Sequence, residues 1–154
     1  VANTHSHSDR LKIYRHLLEA IEGLKAVSVR DRDQLNINEV DEASLRHKGT
    51  KTSAFPYFQA LTWRRREIEN YALVAQPLAE IVGQEAVEKW WGEQGWAWPP
   101  DAAIEKHLQD CDIKQPLGDL LGTTSIEDFF KTLGEEDIHQ DVRVVVDSIC
   151  QLCP

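Results

Sequence analysis

The stretch "LKAVSVRDRDQLN", residues 24–36, decides how the rest of the chain is read. Its Val-rich run, Lys25 to Arg30, has the composition of a short buried strand. The run stops abruptly in four alternating charges, Arg30-Asp31-Arg32-Asp33. Side chains alternate across a strand, so a strand that ran on would place Val27, Val29, Asp31 and Asp33 on one face. Two carboxylates so placed repel each other unless a cation lies between them. A hard cation such as Mg²⁺ takes carboxylate oxygens and keeps several waters. The bland alternative is a strand end whose aspartates pair with Arg30, Arg32 or other basic neighbours.

Upstream, Ser8 or Asp9 is placed to cap a helix running to about Glu22, with Leu11, Tyr14, Leu17, Leu18 and Ile21 at helical spacing. Residues 1–8, "VANTHSHS", are expected to be frayed; His5 and His7 have metal-ligand spacing but sit on a weak, mobile platform. Downstream, residues 34–55 form a long polar connection with one helical turn expected around 39–46. Connections of that length are often functional. A second apolar run, "YFQALTW" (57–63), predicts another strand and leads straight into "RRREIENYAL". From Gln76 the pattern is helical. Further helices are expected at about 101–110, 125–133 and 137–151, with Asp101 and Ser125 as caps.

The second charged block, "TWRRREIENYAL" (62–73), also follows an apolar run. If a helix begins near Arg66, Glu67 shares a face with Asn70 or Tyr71, while Glu69 points elsewhere. Glu67 then offers a third carboxylate, and Arg64, Arg65 and Arg66 offer bidentate hydrogen bonds to phosphate. The bland reading is a helix start with acidic residues matched to its dipole and solvated arginines.

Taken together, "VSVRDRD" and "LTWRRREIENYAL" resemble the second half of a TOPRIM domain, and most nearly that of the OLD-family and related ATPase-associated phage-defence nucleases. The motif core covers residues 24–73. The resemblance implies an α/β fragment, predominantly helical, with a small, partly parallel sheet. Residues 9–75 would be the partial TOPRIM-like segment and 76–154 a helical C-terminal subdomain. It implies a DNA endonuclease with Asp31 and Asp33 as ligands of Mg²⁺ (or Mn²⁺). Glu67 would be a further metal-site acid and Glu69 the second choice. A pair of metals about 4 Å apart would activate water and stabilise the leaving oxygen. Lys131, in "DFFKTLG", is the candidate lysine near the scissile phosphate, with Lys114 as the other option.

The pattern also departs from that family. The expected first strand with its glutamate, and the ATPase loop Gly-x-x-x-x-Gly-Lys-Ser/Thr, do not precede residue 9. The chain lacks Met and starts at Val1, so a processed product, an excised fragment or an artificially altered chain is expected. Its partners would be DNA and an N-terminal ATPase/TOPRIM portion or partner chain, with homodimerisation open. Alone, it is expected to cleave DNA poorly. The alternative is a non-catalytic helical protein-interaction domain.

The chain has 154 residues, 42% of them apolar, and a net charge of −9. Those values support a real core and argue against a generic basic nucleic-acid coat. A metal site stays open, because bound cations reverse the local sign. There is no apolar run near about 18 residues and no signal-peptide pattern, so a soluble, cytoplasmic protein without membrane contact is expected. Cys111, Cys150 and Cys153 suit a reducing compartment. With His107 they could compose a Cys₃His zinc site, which ranks below ordinary packed thiols. Four of the five tryptophans fall in "WWGEQGWAWPP" (90–100). They are read as core, with Trp90 or Trp91 left partly exposed.

Overall fold

A computed structural model describes residues 6–152. About half of it is helical, with a small two-stranded parallel sheet. The chain divides into two compact units. The first holds residues up to Arg64 together with the segment from Gln140 onward; the second runs from Arg65 to His139. No described helix is long and apolar enough to cross a membrane.

In the first unit, helix α1 (His7–Leu18) begins earlier than the expected cap. Ser6 is the cap: its hydroxyl accepts from the Asp9 amide, and Asp9 reaches back to the Ser6 amide. That reciprocal pairing satisfies two helix-end donors. Residues 6–8 are therefore ordered, while His5 lies outside the described residues. Strand β1 (Ala26–Arg30) pairs in parallel with β2 (Phe58–Thr62), Ala26 opposite Phe58 and Arg30 opposite Thr62. Tyr14, Phe58 and Ala60 form the core under α1, with Leu11, Leu18 and Phe55 packed around them.

The connection between the strands holds a 3-10 turn (Ile37–Glu39) and then folds back along β2. The His47 amide donates to Ala60 O, and the Thr62 amide to Leu45 O. β2 is thus flanked on both edges. Leu45 reaches this position with φ +57 and is fully buried. For a branched side chain that backbone costs on the order of 1–3 kcal/mol, which burial of a leucine is large enough to offset. Helix α7 (Gln140–Leu152) packs on β1 and buries Val145 and Leu152.

The second unit is all helical: a 3-10 helix (Ile68–Ala72), then α2 (Ala75–Val82), α3 (Gln84–Glu93), α4 (Ile104–Asp110), α5 (Lys114–Leu121) and α6 (Ile126–Phe130). Gly83, at φ +93, ends α2 and starts α3, a backbone state that favours glycine. Ser125 caps α6 as expected. Trp90, Trp91 and Trp96 are all buried with Leu78, Leu117 and Phe129. Neither Trp90 nor Trp91 is left out, because the reversal at Gly95 brings Trp96 and Trp98 around Trp91, with ring centroids 5.2 and 5.7 Å away.

One buried polar group links α1 to both strands. His7 is hydrogen-bonded through Nδ1 to Ser28 Oγ and through Nε2 to Thr62 Oγ1, each at 2.9 Å. Burial, together with the nearby charges of His47, Arg30 and Arg10, pushes its pKa down to about 4. The folded state holds His7 neutral, whereas the unfolded chain takes up a proton below its ordinary value of 6.5. Stability should therefore fall as pH drops from 6.5 toward 4, by about 1.4 kcal/mol for each pKa unit. Thermal melts across that window should show His7→Gln with a shallower slope than the parent; parallel slopes would remove His7 as the source.

Candidate functional site

The strand does not run on through the charges. β1 ends at Arg30, and Asp33 has φ +50, so the alternation that would have put Asp31 and Asp33 on one strand face breaks there. The reason lies in Arg32, which is buried: its Nε donates to Arg64 O at 2.9 Å and its Nη1 to Leu35 O. Drawing that guanidinium inward turns the chain. Asp33 stays exposed, with its carboxylate 3.8 Å from Arg30 Nη2. Asp31 is half-buried.

The expected helix at Arg66 is also absent. Glu67 is the half-buried, extended cap residue of the 3-10 helix Ile68–Ala72. The arginines expected to hold phosphate are engaged by carboxylates of the protein itself. Arg64 lies 3.1 Å from Glu42 and 3.3 Å from Asp141. Arg66 lies 3.3 Å from Asp112. Arg65 is buried, donates to Glu105 Oε2 and Asn70 O at 2.7 Å each, and stacks 4.8 Å over the Tyr71 ring. The Tyr71 hydroxyl accepts from the Arg65 amide.

The rest of the block does similar work. Fully buried Asn70 donates to Leu108 O at 2.7 Å and Cys111 O at 3.1 Å. Glu69 pairs with Lys114. "RREIENY" therefore fastens α4 and the α4–α5 connection. Lys131, at the end of α6, is exposed and bound to Asp128 (2.8 Å) and Glu127 (3.4 Å). Those hydrogen bonds raise its pKa above the ordinary lysine value.

Among the described residues no group of three or more His, Cys, Asp or Glu is arranged to hold a metal ion. Asp31 and Asp33 alone are fewer ligands than a two-metal hydrolase centre requires. The zinc arrangement gains nothing either. Burial pushes the Cys111 thiol up to about 11, its sulfur accepts from Asn70 Nδ2, and Cys153 lies outside the described residues.

One polar concavity in the first unit was not singled out from the sequence. It is lined by Arg46, His47, Lys48, Thr50, Thr52 and Ser53 and has a volume of about 330 Å³. The signal that marks it is charge bias: residues 43–66 hold six Lys and Arg and no Asp or Glu, in a chain of net charge −9. No known protein family, curated protein or solved structure matches the chain.

The latch formed by the second block is open to test. Breaking a buried ion pair costs about 3–5 kcal/mol, and partial exposure of Glu105 moves the expectation for Arg65→Met to about 2 kcal/mol. Arg65→Lys should recover less than half, since an ammonium cannot make the two-pronged contact. Urea unfolding followed by tryptophan fluorescence reads both; an unchanged midpoint in Arg65→Met would dismiss the latch.

Proposed function

We propose that this chain supplies the Asp31/Asp33 half of a Mg²⁺- or Mn²⁺-dependent phosphodiester hydrolase site acting on DNA. The remaining carboxylates come from a further polypeptide segment. One observation carries the reading. β1 and β2 run parallel and in register, and the two charged blocks leave from the same end. Arg30 is opposite Thr62, and the Trp63 amide donates to Arg30 O at 3.0 Å. Parallel α/β sheets bind ligands off that end. The Arg30–Asp33 pair is no obstacle, because the Asp33 side chain is 58% exposed and such pairs contribute at most about 1 kcal/mol. The resemblance of both blocks to the OLD-type nucleases adds to this reading. Arg64, Arg65, Arg66 and Lys131 receive no role in it, since each already holds a carboxylate.

The first unit also offers a place for the missing segment. Ala26 and Arg30 direct their backbone groups at β2, so by strand parity Val27 and Val29 direct theirs to the outer edge. Arg10 covers Val29 O at 2.7 Å. Ile13 and Leu17 follow Arg10 at helical spacing and are 49% and 44% exposed. An added strand at that edge would be roofed by this apolar flank. The same features support a second reading, a protein-docking domain without metal chemistry.

Mn²⁺ titration followed by nuclear magnetic resonance line broadening separates the two. The hydrolase reading expects weak binding centred on Asp31–Asp33 that is lost in the Asp31→Asn/Asp33→Asn double variant. Broadening that is absent or scattered leaves only the docking reading. Robust Mg²⁺-dependent cleavage by the chain alone, abolished in Asp31→Ala, would show that no further segment is needed.

A further inference from the structure

The basic concavity of the first unit carries an inference independent of the aspartates. Its position follows from the fold-back along β2. Once residues 45–47 pair with that strand, the chain must turn away, and it does so through His47–Thr50, with the Thr50 amide donating to His47 O at 3.2 Å. The turn is held by His47 Nδ1 and Thr50 Oγ1, 2.8 Å apart. A Cβ at Gly49 would come within 2.8 Å of the His47 ring, so a larger residue there would have to displace that ring. Thr50, Thr52 and Ser53 line the space beside Arg46 and Lys48. Phe58 and Ala60 of β2 form its apolar floor.

The cations here differ from the other arginines. Arg46 makes no ion pair among the described residues. Lys48 donates to a neutral carbonyl, Asn38 O, at 2.8 Å and makes no ion pair among the described residues, although its charge is felt by the Asp41 carboxylate. Glu39 lies 3.8 Å from His47 Nε2, so a carboxylate also stands near the concavity, and the fixed positive charge there is that of Arg46 and Lys48. Two cations without an ion-pair partner among the described residues, beside the hydroxyl-bearing Thr52 and Ser53 and on a turn with a glycine, match the needs of a tetrahedral oxyanion: charge, and hydrogen-bond donors at short range. At about 330 Å³ the space exceeds what a single anion fills and is at the lower end for small-molecule sites.

We propose that this concavity binds a phosphate group, either free or carried on a single nucleic-acid strand. The proposal needs neither a metal ion nor Asp31 and Asp33.

The test uses the ¹⁵N-labelled chain in a metal chelator, titrated separately with inorganic phosphate and with a short thymidine oligonucleotide. Both ligands should shift the amides of Gly49, Thr50, Thr52 and Ser53. An oligonucleotide that saturates these shifts about tenfold earlier than phosphate identifies the strand backbone as the source, and equal affinities identify the free anion. Arg46→Gln/Lys48→Gln should weaken binding by about tenfold and lower the salt dependence of oligonucleotide binding by about two phosphate contacts. Unshifted amides elsewhere in the double variant establish that it is folded. If neither ligand moves the four amides, or the double variant binds like the parent, the proposal fails.

Discussion

The buried guanidinium of Arg65 is the constraint on which the second unit is arranged. A charge with so little solvent must be fully met by acceptors. Glu105 from α4, the Asn70 carbonyl and the face of Tyr71 together do this. Meeting the charge fixes where α4 lies relative to the 3-10 helix. Asn70, with its amide spent on the carbonyls of Leu108 and Cys111, then fixes where α4 must end. The tryptophan core packs around a frame whose polar joints are already set. The chain enters this unit at Arg65 and leaves it at His139, which lies 3.9 Å from the same Glu105 and packs its ring, tilted, 5.2 Å from that of Tyr71. On the first-unit side the neighbouring residues, Arg64 and Asp141, are themselves paired. Each crossing of the chain is thus anchored within the unit it enters.

The first unit is organised by a different kind of constraint. Two parallel strands alone bury little, and an isolated pair is marginal in water. Three devices compensate. His7 joins α1 to both strands through neutral hydrogen bonds. Leu45 accepts an unfavourable backbone so that residues 45–47 can close the second edge of β2. Arg32 turns inward, ending β1 and re-aiming the acidic residues beside it. The last device explains why "RDRD" does not behave as a continued strand: desolvating one arginine is compensated by two backbone carbonyls, and the neighbouring aspartates follow the turn.

Periodicity made both strands and most helices legible, because an apolar run with flanking breakers has few other ways to bury itself. β1 and β2 lie within a residue of their expected ends, and their parallel pairing suits a long intervening connection. What could not be read was the fate of charge. "RRREIENY" is compatible with arginines in solvent, on phosphate or in a buried pair. Only the tertiary arrangement brings Glu105 and Asp112, some forty residues away, against Arg65 and Arg66. The same holds for Asp31 and Asp33, whose shared face depended on a strand continuing past a residue that the fold instead buries. The tryptophan run was legible as core, but the burial of both Trp90 and Trp91 depends on the chain reversal after α3.

Charge distribution, rather than net charge, is what discriminates among functions here. A net charge of −9 discourages contact with a polyanion as a whole. Yet screening confines the influence of exposed carboxylates to about 8–10 Å, so a local excess of cations still presents a positive field. In the acid-free run of residues 43–66, the three arginines at its C-terminal end are neutralised by Glu42, Asp141, Glu105 and Asp112, which all lie outside the run. Among the described residues Arg46 and Lys48 form no such ion pairs. Had the whole run been structural, its cations would be expected to share the same treatment. The difference between paired arginines and the unpaired pair at the His47–Thr50 turn is therefore the clearest division between charge used for folding and charge left for a ligand.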